Sequence, residues 1–385
     1  MPKDQPVLPQ FTPGQLTFPP IPTFQHTGNL AQELERGLKP VEAWHMYDCM
    51  LFVRFFEEMI VRLKDGKFDQ LPGYKFIGAT HLSLGQEGVA VGAMSALRPD
   101  DYITSTHRGH GHSVAKGYYW LQGVSNEELA RFIGGEVDAE DRPGLLDCAL
   151  QMHLNRAMAE LFGKEEGYCR GRGGGMHIAD FHMGHLGANA IVGGSYAIAT
   201  GAAMAAQKLG SEKLCLCLVG DGAANNGIAH EAMNFAAMDQ FQQGCPVIYL
   251  VENNQYGMTG QQRGEVTGVD YLARRGAAYN LEGMHAEVVN GMDVLCVRDA
   301  VARAAELCRS GEGPVLLECM TYRYMGHSLS DDRMSYRTPE EEQAWHEEDP
   351  LGRLEAQLLE SGVATKDQIE IHRHLAADRI DRATI

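Results

Sequence analysis

Short apolar runs alternate along the chain with amphipathic segments, and the two patterns predict different elements. Three runs have the length and apolar character of buried strands, at 214–219, 247–251 and 314–319. Helical patterns follow the first two of these strands, at about 228–240 and 293–309. Strands that alternate with helices form a parallel sheet with helices on both faces. The sequence therefore predicts an α/β fold, a parallel sheet flanked by helices.

Three further helices are predicted before the first of these strands. The first begins at Pro40 and ends near Gly66, because proline favours the first turn of a helix and glycine its end. The second covers 83–97 and is stopped by a proline. The third, at 196–210, consists mostly of small residues, which predicts close approach of another backbone.

The two ends of the chain differ from this central part. Seven of the fifteen prolines lie within the first 22 residues, so 1–39 is predicted to be an extended arm, either disordered or laid along a partner subunit. The α/β domain is placed at 40–340, with 118–158 as an insertion of unknown role. From 341 to 385 the sequence is charged and helical, which is typical of a solvated peripheral tail.

Composition argues against proteins that bind nucleic acid, span a membrane or are secreted. A net charge of −18 argues against nucleic acid or an anionic membrane as a partner, because both attract a basic surface. No apolar run approaches the roughly 20 residues that cross a bilayer, and we recognise no secretion signal. The nine scattered cysteines contain no C-x-x-C pair and are expected to be reduced thiols. We therefore expect a cytoplasmic protein.

The candidate chemistry lies at the ends of two predicted strands. The first strand runs into GDGAANNG, where a carboxylate, Asp221, is costly unless a cation or hydrogen bonds meet it. The next strand ends in ENNQYG, so Asn254 reaches the same edge of the sheet, where ligands bind in such folds. Oxygen atoms of these side chains and a nearby carbonyl suit Mg²⁺. The amides of Gly222 and Ala223 would face a diphosphate.

Other interpretations of these motifs are weaker. A dinucleotide fingerprint needs glycine where Asn225 stands, and a P-loop needs Lys-Ser/Thr where Ile228 and Ala229 stand. Taken alone, GDGAANNG could be a βα turn with a capping Asp, and ENNQYG could be a separate Asn-rich turn. The two motifs together, in register at the ends of adjacent strands, favour the metal site. Histidines in HRGHGH and MHIADFHMGH raise the question of zinc. They lie in glycine-rich loops without a cysteine or carboxylate set, which favours anion binding and loop hydrogen bonds.

The order of the motifs resembles that in α subunits of the pyruvate dehydrogenase and acetoin dehydrogenase family. GDGAANNG followed by ENNQYG resembles the thiamine-diphosphate motif of that family. The segments THLSLGQE, TSTHRGHGH, GRGGGMHIADF, GANAIVGG and YRYMGHSLSDDRMSYRTPEE occur in the family's order. The resemblance covers about residues 40–360. It implies the thiamine-diphosphate-binding fold, with thiamine diphosphate and Mg²⁺ as cofactors.

The resemblance also implies roles for individual residues. Asp221, Asn254 and the carbonyl of Tyr256 would ligate Mg²⁺. The diphosphate would be held by a larger set: Gly222, Ala223, His107, Arg108 and His327.

For the rest of the cofactor and the substrate, the resemblance implies four residues. The backbone of Ala190 and Val192 would hold the aminopyrimidine ring, and His81 and His327 would be the catalytic histidines. Two positions depart from the family, since His107 stands where pyruvate-type relatives usually carry tyrosine and Ala190 where the family commonly has glycine.

The implied activity is oxidative decarboxylation of a 2-oxo acid, pyruvate first, with acyl transfer to a lipoyl group. Acetoin stays open as the substrate. The implied partners are a β subunit carrying the pyrimidine-binding domain and its activating glutamate, in an α2β2 assembly, and a lipoyl-bearing acyltransferase core. A cofactor-binding subunit without turnover is the alternative from another class, and the intact metal set and His327 argue against it.

Overall fold

The computed structural model describes residues 9, 11–78, 80–134, 140–238, 244–258, 260–279 and 284–385. Five strands form one sheet in the order β1-β2-β3-β5-β4, and every neighbouring pair is parallel. The strands are β1 Tyr102–Thr104, β2 Cys215–Gly220, β3 Val247–Asn253, β4 His285–Asn290 and β5 Val315–Met320. The predicted parallel α/β fold is confirmed.

Twelve α-helices surround this sheet in the part of the chain that the structure describes. They are α1 Leu30–Glu35, α2 Pro40–Asp65, α3 Glu87–Ala96, α4 His110–Gly123, α5 Asn126–Ile133, α6 Arg142–Leu161, α7 Ser195–Lys208, α8 Gly227–Ala236, α9 Val294–Ser310, α10 Pro339–Glu347, α11 Pro350–Glu360 and α12 Lys366–Thr384. Proline starts α2 and Gly66, at φ 69°, ends it, as the sequence predicts. Of the described helices, none combines the length and apolarity needed to span a bilayer.

The sheet separates two hydrophobic cores. Along β2, Leu216 and Leu218 pack into the core that α2, α3 and α9 cover, whereas Cys217 and Val219 pack into the core under α7 and α8. Both faces of the sheet are therefore buried, which explains why β2, β3 and β5 read as continuous apolar runs. On the larger side α3 and α9 touch closely, since a Cβ on Gly92 would lie 2.7 Å from the Val294 carbonyl oxygen.

Two strands were not predicted from the sequence. β1 has only three residues, too few for a pattern to register. β4 contains Glu287, which is buried because the Arg303 guanidinium holds both carboxylate oxygens at 2.7 and 2.8 Å. Glu287 leaves β4 with only two consecutive large apolar residues, Val288 and Val289, whereas β5 has three before Glu318, so the apolar run of β4 is too short to register.

Irregular segments pair with both edges of the sheet. At the β4 edge, Phe24 N–H donates to the Val288 carbonyl at 2.8 Å, and Val288 N–H donates to Pro22 at 2.9 Å. At the β1 edge, Ile103 N–H donates to the Gly184 carbonyl at 2.9 Å. Part of the predicted N-terminal arm therefore lies along its own domain, and α1 adds a helix to it. Residues 1–8 and 10 are outside the described part.

The segment 118–158, predicted as an insertion, consists of helices that join the domain. It contains the end of α4, all of α5 and most of α6. Helix α6 contacts α4, α5 and α12. Within the segment 118–158, residues 135–139 lie outside the described residues.

The C-terminal segment is helical, but the prediction that it is a solvated tail is wrong. Helix α12 packs against α2 and α6 and buries Ile369, Ala376 and Ile380. These three positions form one buried stripe on a helix whose other faces are mostly polar and exposed. The many charged residues of this segment obscure the buried stripe in the sequence pattern. The segment was therefore predicted to be solvated, although one face of α12 belongs to the core.

Truncation of the buried side chain of Ile380 should therefore destabilise the protein. Ile380→Ala is expected to lower the free energy of unfolding by about 2–5 kcal/mol, because a buried isoleucine leaves a cavity. Ile371→Ala on the same helix is the matched control, since Ile371 is 55% exposed and Ile380 1%. Urea unfolding monitored by circular dichroism measures both. Equal effects of the two substitutions would contradict the packing of α12.

Candidate active site

A cavity of about 450 Å³ opens at the carboxyl ends of β2 and β3. All eleven residues singled out from the sequence line it: His81, His107, Arg108, Ala190, Val192, Asp221, Gly222, Ala223, Asn254, Tyr256 and His327. Segments far apart in the sequence thus meet at one place. The edge of the sheet where the two strand-end motifs were expected to meet is where they do meet.

Asp221 contributes a buried carboxylate to the cavity. Gly220 and Glu252 are partners in the register of β2 and β3, which brings the following residues, Asp221 and Asn254, to one edge. Asp221 Oδ1 accepts a hydrogen bond from Gly222 N–H at 2.8 Å, and the buried Oδ2 has no partner among the described residues. Burial raises the pKa of Asp221 to about 6. Such a carboxylate is suited to a bound cation, which would replace the lost water.

Asn254 and Tyr256 follow β3 in a tight turn. Gln255 has φ 75°, a left-handed conformation that reverses the chain after the strand. The Asn254 side-chain nitrogen donates to Gln86 Oε1 at 3.1 Å, and its amide oxygen accepts a long hydrogen bond from Tyr256 N–H at 3.4 Å. The oxygen-bearing group of Asn254 and the buried Asp221 therefore line the same cavity wall.

The turn after Asp221 is held by an arginine that the sequence analysis missed. Arg275 donates to the Ala224 carbonyl and to Asn225 Oδ1, both at 2.6 Å. Asn226 then caps α8 by accepting from Ile228 N–H at 3.2 Å. These bonds fix the backbone at the start of α8, where amides would face an anion. Arg275 lies outside every quoted motif, so no sequence signal marked it.

Three histidines form another part of the cavity lining. The side-chain nitrogens of His81, His107 and His327 lie within 4.8 Å of one another. Burial, and then the charge of Arg108, lowers the pKa of His81 to about 4, of His107 to about 3 and of His327 to about 4. At neutral pH each ring is therefore uncharged, with one donor and one acceptor nitrogen. His81 Nδ1 and His107 Nε2 are buried without a partner among the described residues.

Two buried arginines make this side of the cavity electropositive. Arg108 donates to the carbonyls of Leu82 and His327 at 2.7 and 2.8 Å. Arg323 is 1% exposed, and its three guanidinium nitrogens have no hydrogen-bond partner in the described part of the chain. Two cations beside the histidine cluster disfavour a metal ion there and favour an anion. Arg323 was missed although it stands in the quoted YRYMGHS segment, because sequence does not reveal burial.

Three other histidines of the two motifs form separate hydrogen bonds. His110 Nδ1 lies 3.3 Å from Glu57, His112 Nε2 lies 3.1 Å from Glu252, and His185 Nε2 lies 3.0 Å from Ser113. Loop hydrogen bonds were expected for these motifs. His185 lies in a loop, whereas His110 and His112 lie in α4 and pair with buried carboxylates.

A parallel α/β domain with oxygen ligands at two strand ends, facing imidazoles and guanidinium groups, defines a class of protein that binds an anionic cofactor with a metal ion. The family model of the dehydrogenase E1 component matches residues 50–141 and 141–384. The chain belongs to this family. The family and the relatives described below identify it as the α subunit of a thiamine-diphosphate-dependent 2-oxo acid dehydrogenase. The resemblance found in the sequence is confirmed.

Individual relatives agree with this assignment. The α subunit of acetoin:2,6-dichlorophenolindophenol oxidoreductase from Bacillus subtilis is 38% identical over 86% of this chain and 84% of that protein. The pyruvate dehydrogenase E1 component α subunit from Rhizobium meliloti is 36% identical over 84% of this chain and 79% of its own length. The somatic mitochondrial form from Homo sapiens is 34% identical over 88% and 75%.

Proposed function

We propose that this α subunit binds the metal ion and the diphosphate in an enzyme that oxidatively decarboxylates pyruvate and transfers the acyl group to a lipoyl group. The observation that carries the proposal is the cavity, which oxygen ligands line together with cationic and imidazole groups. Bound thiamine diphosphate supplies the carbanion stabilisation that decarboxylation needs.

Three oxygens of this chain fit Mg²⁺. They are Asp221 Oδ2, which is buried and unpartnered among the described residues, the amide oxygen of Asn254 and the carbonyl of Tyr256. Mg²⁺ prefers hard oxygen ligands and is usually bound through one or two carboxylates together with phosphate oxygens. Asp221 would supply the only protein charge in this set.

The anion-binding side would receive the diphosphate. Arg108 and Arg323 supply positive charge, and His107 and His327 supply N–H donors. The amide of Gly222 is engaged by Asp221, so Ala223 is the better placed of the two predicted backbone donors. Backbone of Ala190 and Val192 lines the same cavity, where the aminopyrimidine would lie.

His81 and His327 would act on the substrate. Both rings are neutral at pH 7, so each can donate a hydrogen bond to a carboxylate or carbonyl oxygen without leaving a buried charge. A bound anion would raise their pKa values toward neutrality, where an imidazole transfers protons effectively.

A partner must complete the site. The carboxylates that line the described cavity are Asp221 and Glu252, and Glu252 is engaged by Gln86 and His112. Neither is free to activate the aminopyrimidine, so we assign that glutamate to a β subunit in an α2β2 assembly. Ile191 and Met258, each 74% exposed near the cavity, favour a protein surface there. The lipoyl-bearing acyltransferase core would be the second partner, and nine free thiols fit the proposed cytoplasm.

Acetoin is the second candidate substrate. His107, where pyruvate-type relatives carry tyrosine, and the Bacillus subtilis relative favour it. The test is co-expression with the β subunit, followed by dye reduction with pyruvate, acetoin and branched 2-oxo acids.

We expect the rate of dye reduction with pyruvate to exceed the rate with each of the other substrates by at least about tenfold. A tenfold difference in rate corresponds to about 1.4 kcal/mol of transition-state binding. A higher rate with acetoin would replace pyruvate as the substrate. The assembled complex carrying His107→Tyr should shift the ratio further toward pyruvate. Cofactor binding without turnover on any substrate would support the non-catalytic alternative.

A further inference from the structure

A buried chain of hydrogen bonds runs behind the cavity, from Asn254 into the core. Asn254 Nδ2 lies 3.1 Å from Gln86 Oε1, and Gln86 Nε2 lies 3.0 Å from Glu252 Oε1. Glu252 Oε1 lies 3.1 Å from His112 Nε2, and His112 Nδ1 lies 2.8 Å from Ser105 Oγ. All five side chains are buried.

The hydrogen bond to Glu252 determines which way each amide points. Gln86 Nε2 donates to Glu252 Oε1, so Gln86 presents its NH₂ group to Glu252. The oxygen of Gln86 then faces Asn254, which donates a hydrogen bond to it from its own NH₂ group. The oxygen of Asn254 is therefore directed away from the chain of hydrogen bonds, toward the turn that lines the cavity, where Tyr256 N–H donates to it over a long 3.4 Å.

The backbone holds Gln86 in a fixed place. Gly85 has φ +93°, and a Cβ on it would lie 2.5 Å from the Tyr322 carbonyl oxygen. Glu87 accepts two hydrogen bonds from Arg54, at 2.7 and 3.1 Å. The residues on both sides of Gln86 are thus locked against the rest of the domain. Its amide is a rigid link between a core carboxylate and the cavity wall.

We propose that Gln86 is a positioning residue that fixes the amide of Asn254 so that its oxygen, and not its nitrogen, faces the metal ion. The inference rests on the metal site of the proposed function. An amide that rotates by 180° offers an N–H dipole to the cation and cannot ligate it. Loss of a residue that orients a metal ligand typically costs 10–100-fold in metal affinity.

The test uses the complex assembled with its β subunit and Mn²⁺ as the probe. Gln86→Met keeps the shape of the side chain but removes both hydrogen bonds. We expect Mn²⁺ affinity in the presence of thiamine diphosphate, measured by electron paramagnetic resonance of the free ion, to fall about 10–100-fold. Gln357→Met is the matched control, because Gln357 accepts from Leu30 N–H and does not line the described cavity. It should bind Mn²⁺ like the wild type.

A second background separates positioning from a general structural role. Asn254→Asp offers an oxygen in either rotamer, so adding Gln86→Met to it should change Mn²⁺ affinity less than about twofold. A loss as large as in the wild-type background would overturn the positioning role. So would wild-type Mn²⁺ affinity in Gln86→Met alone, a result that leaves the metal site itself intact.

Two further outcomes are distinguishable. Wild-type complex that binds no Mn²⁺ with thiamine diphosphate would overturn the metal site and the positioning role together. Thermal unfolding without metal reports whether Gln86→Met folds, and Gln86→Leu, which also lacks both hydrogen bonds, takes its place if it does not. The same 10–100-fold loss is expected for that variant.

Discussion

Asp221→Asn should abolish Mg²⁺-dependent binding of thiamine diphosphate, with a loss of affinity greater than about 100-fold. The substitution keeps the size of the side chain but removes the only charged protein ligand proposed for the metal ion. The diphosphate would then meet a metal that this chain holds only through neutral oxygens. Calorimetric titration of the assembled complex with thiamine diphosphate, at fixed Mg²⁺, measures the loss.

Stability provides the control for that variant. Burial raises the pKa of Asp221 to about 6, so the ionised carboxyl costs folding free energy that appears as pH rises from about 4 to 6. Asparagine carries no such cost. Without cofactor, the variant should therefore unfold at the same or a higher temperature than the wild type at pH 7. A stable variant that binds thiamine diphosphate with wild-type affinity would remove Asp221 from the metal site.

The isolated α chain should show no turnover with pyruvate, acetoin or a branched 2-oxo acid, and adding the β subunit should restore it. The reason is that both carboxylates that line the described cavity are already engaged. Asp221 faces the proposed metal, and Glu252 is held by Gln86 and His112. No carboxylate remains there to activate the aminopyrimidine of the cofactor, and without that activation the reaction would lose the 10²–10⁴-fold gain of general base catalysis.

The measurement is a titration of the purified α chain with the β subunit, followed by dye reduction. Activity should rise with added β subunit and saturate at one β subunit per α chain. Asp221→Asn assembled with the same β subunit should stay inactive, which separates partner binding from cofactor binding. Full turnover by the α chain alone, at a dilution that excludes contamination, would refute the shared active site.

Sequence predicts this fold wherever burial is uniform along an element. The apolar runs of β2, β3 and β5 reveal strands that are covered on both faces. β4 was not predicted because Glu287, paired with Arg303 from a following helix, leaves it only two consecutive large apolar residues, fewer than the three that precede Glu318 in β5. α12 was misjudged for the converse reason, since Ile369, Ala376 and Ile380 are few among many charges. Both errors concern side chains whose environment is created by distant parts of the chain.

The candidate site was predicted more completely than the fold, because motifs carry its residues. All eleven predicted residues line one cavity. The residues that support them were missed: Arg275, Arg323 and the pair Gln86 and Glu252. Their contribution depends on burial and on hydrogen-bond direction, and neither leaves a local pattern in the sequence.

The closed edges of the sheet constrain how this subunit can assemble. An open edge strand offers unpaired backbone groups that another chain can extend, which leads to strand addition or aggregation. Here residues 22–24 occupy backbone groups of β4, and 184–186 occupy those of β1. Removing the proline-rich segment up to Phe24 would leave β4 available for recruitment by foreign strands. A partner of this chain would find the outward backbone groups of Val288 and Ile103 already paired, which disfavours continuation of the sheet from one subunit into the next.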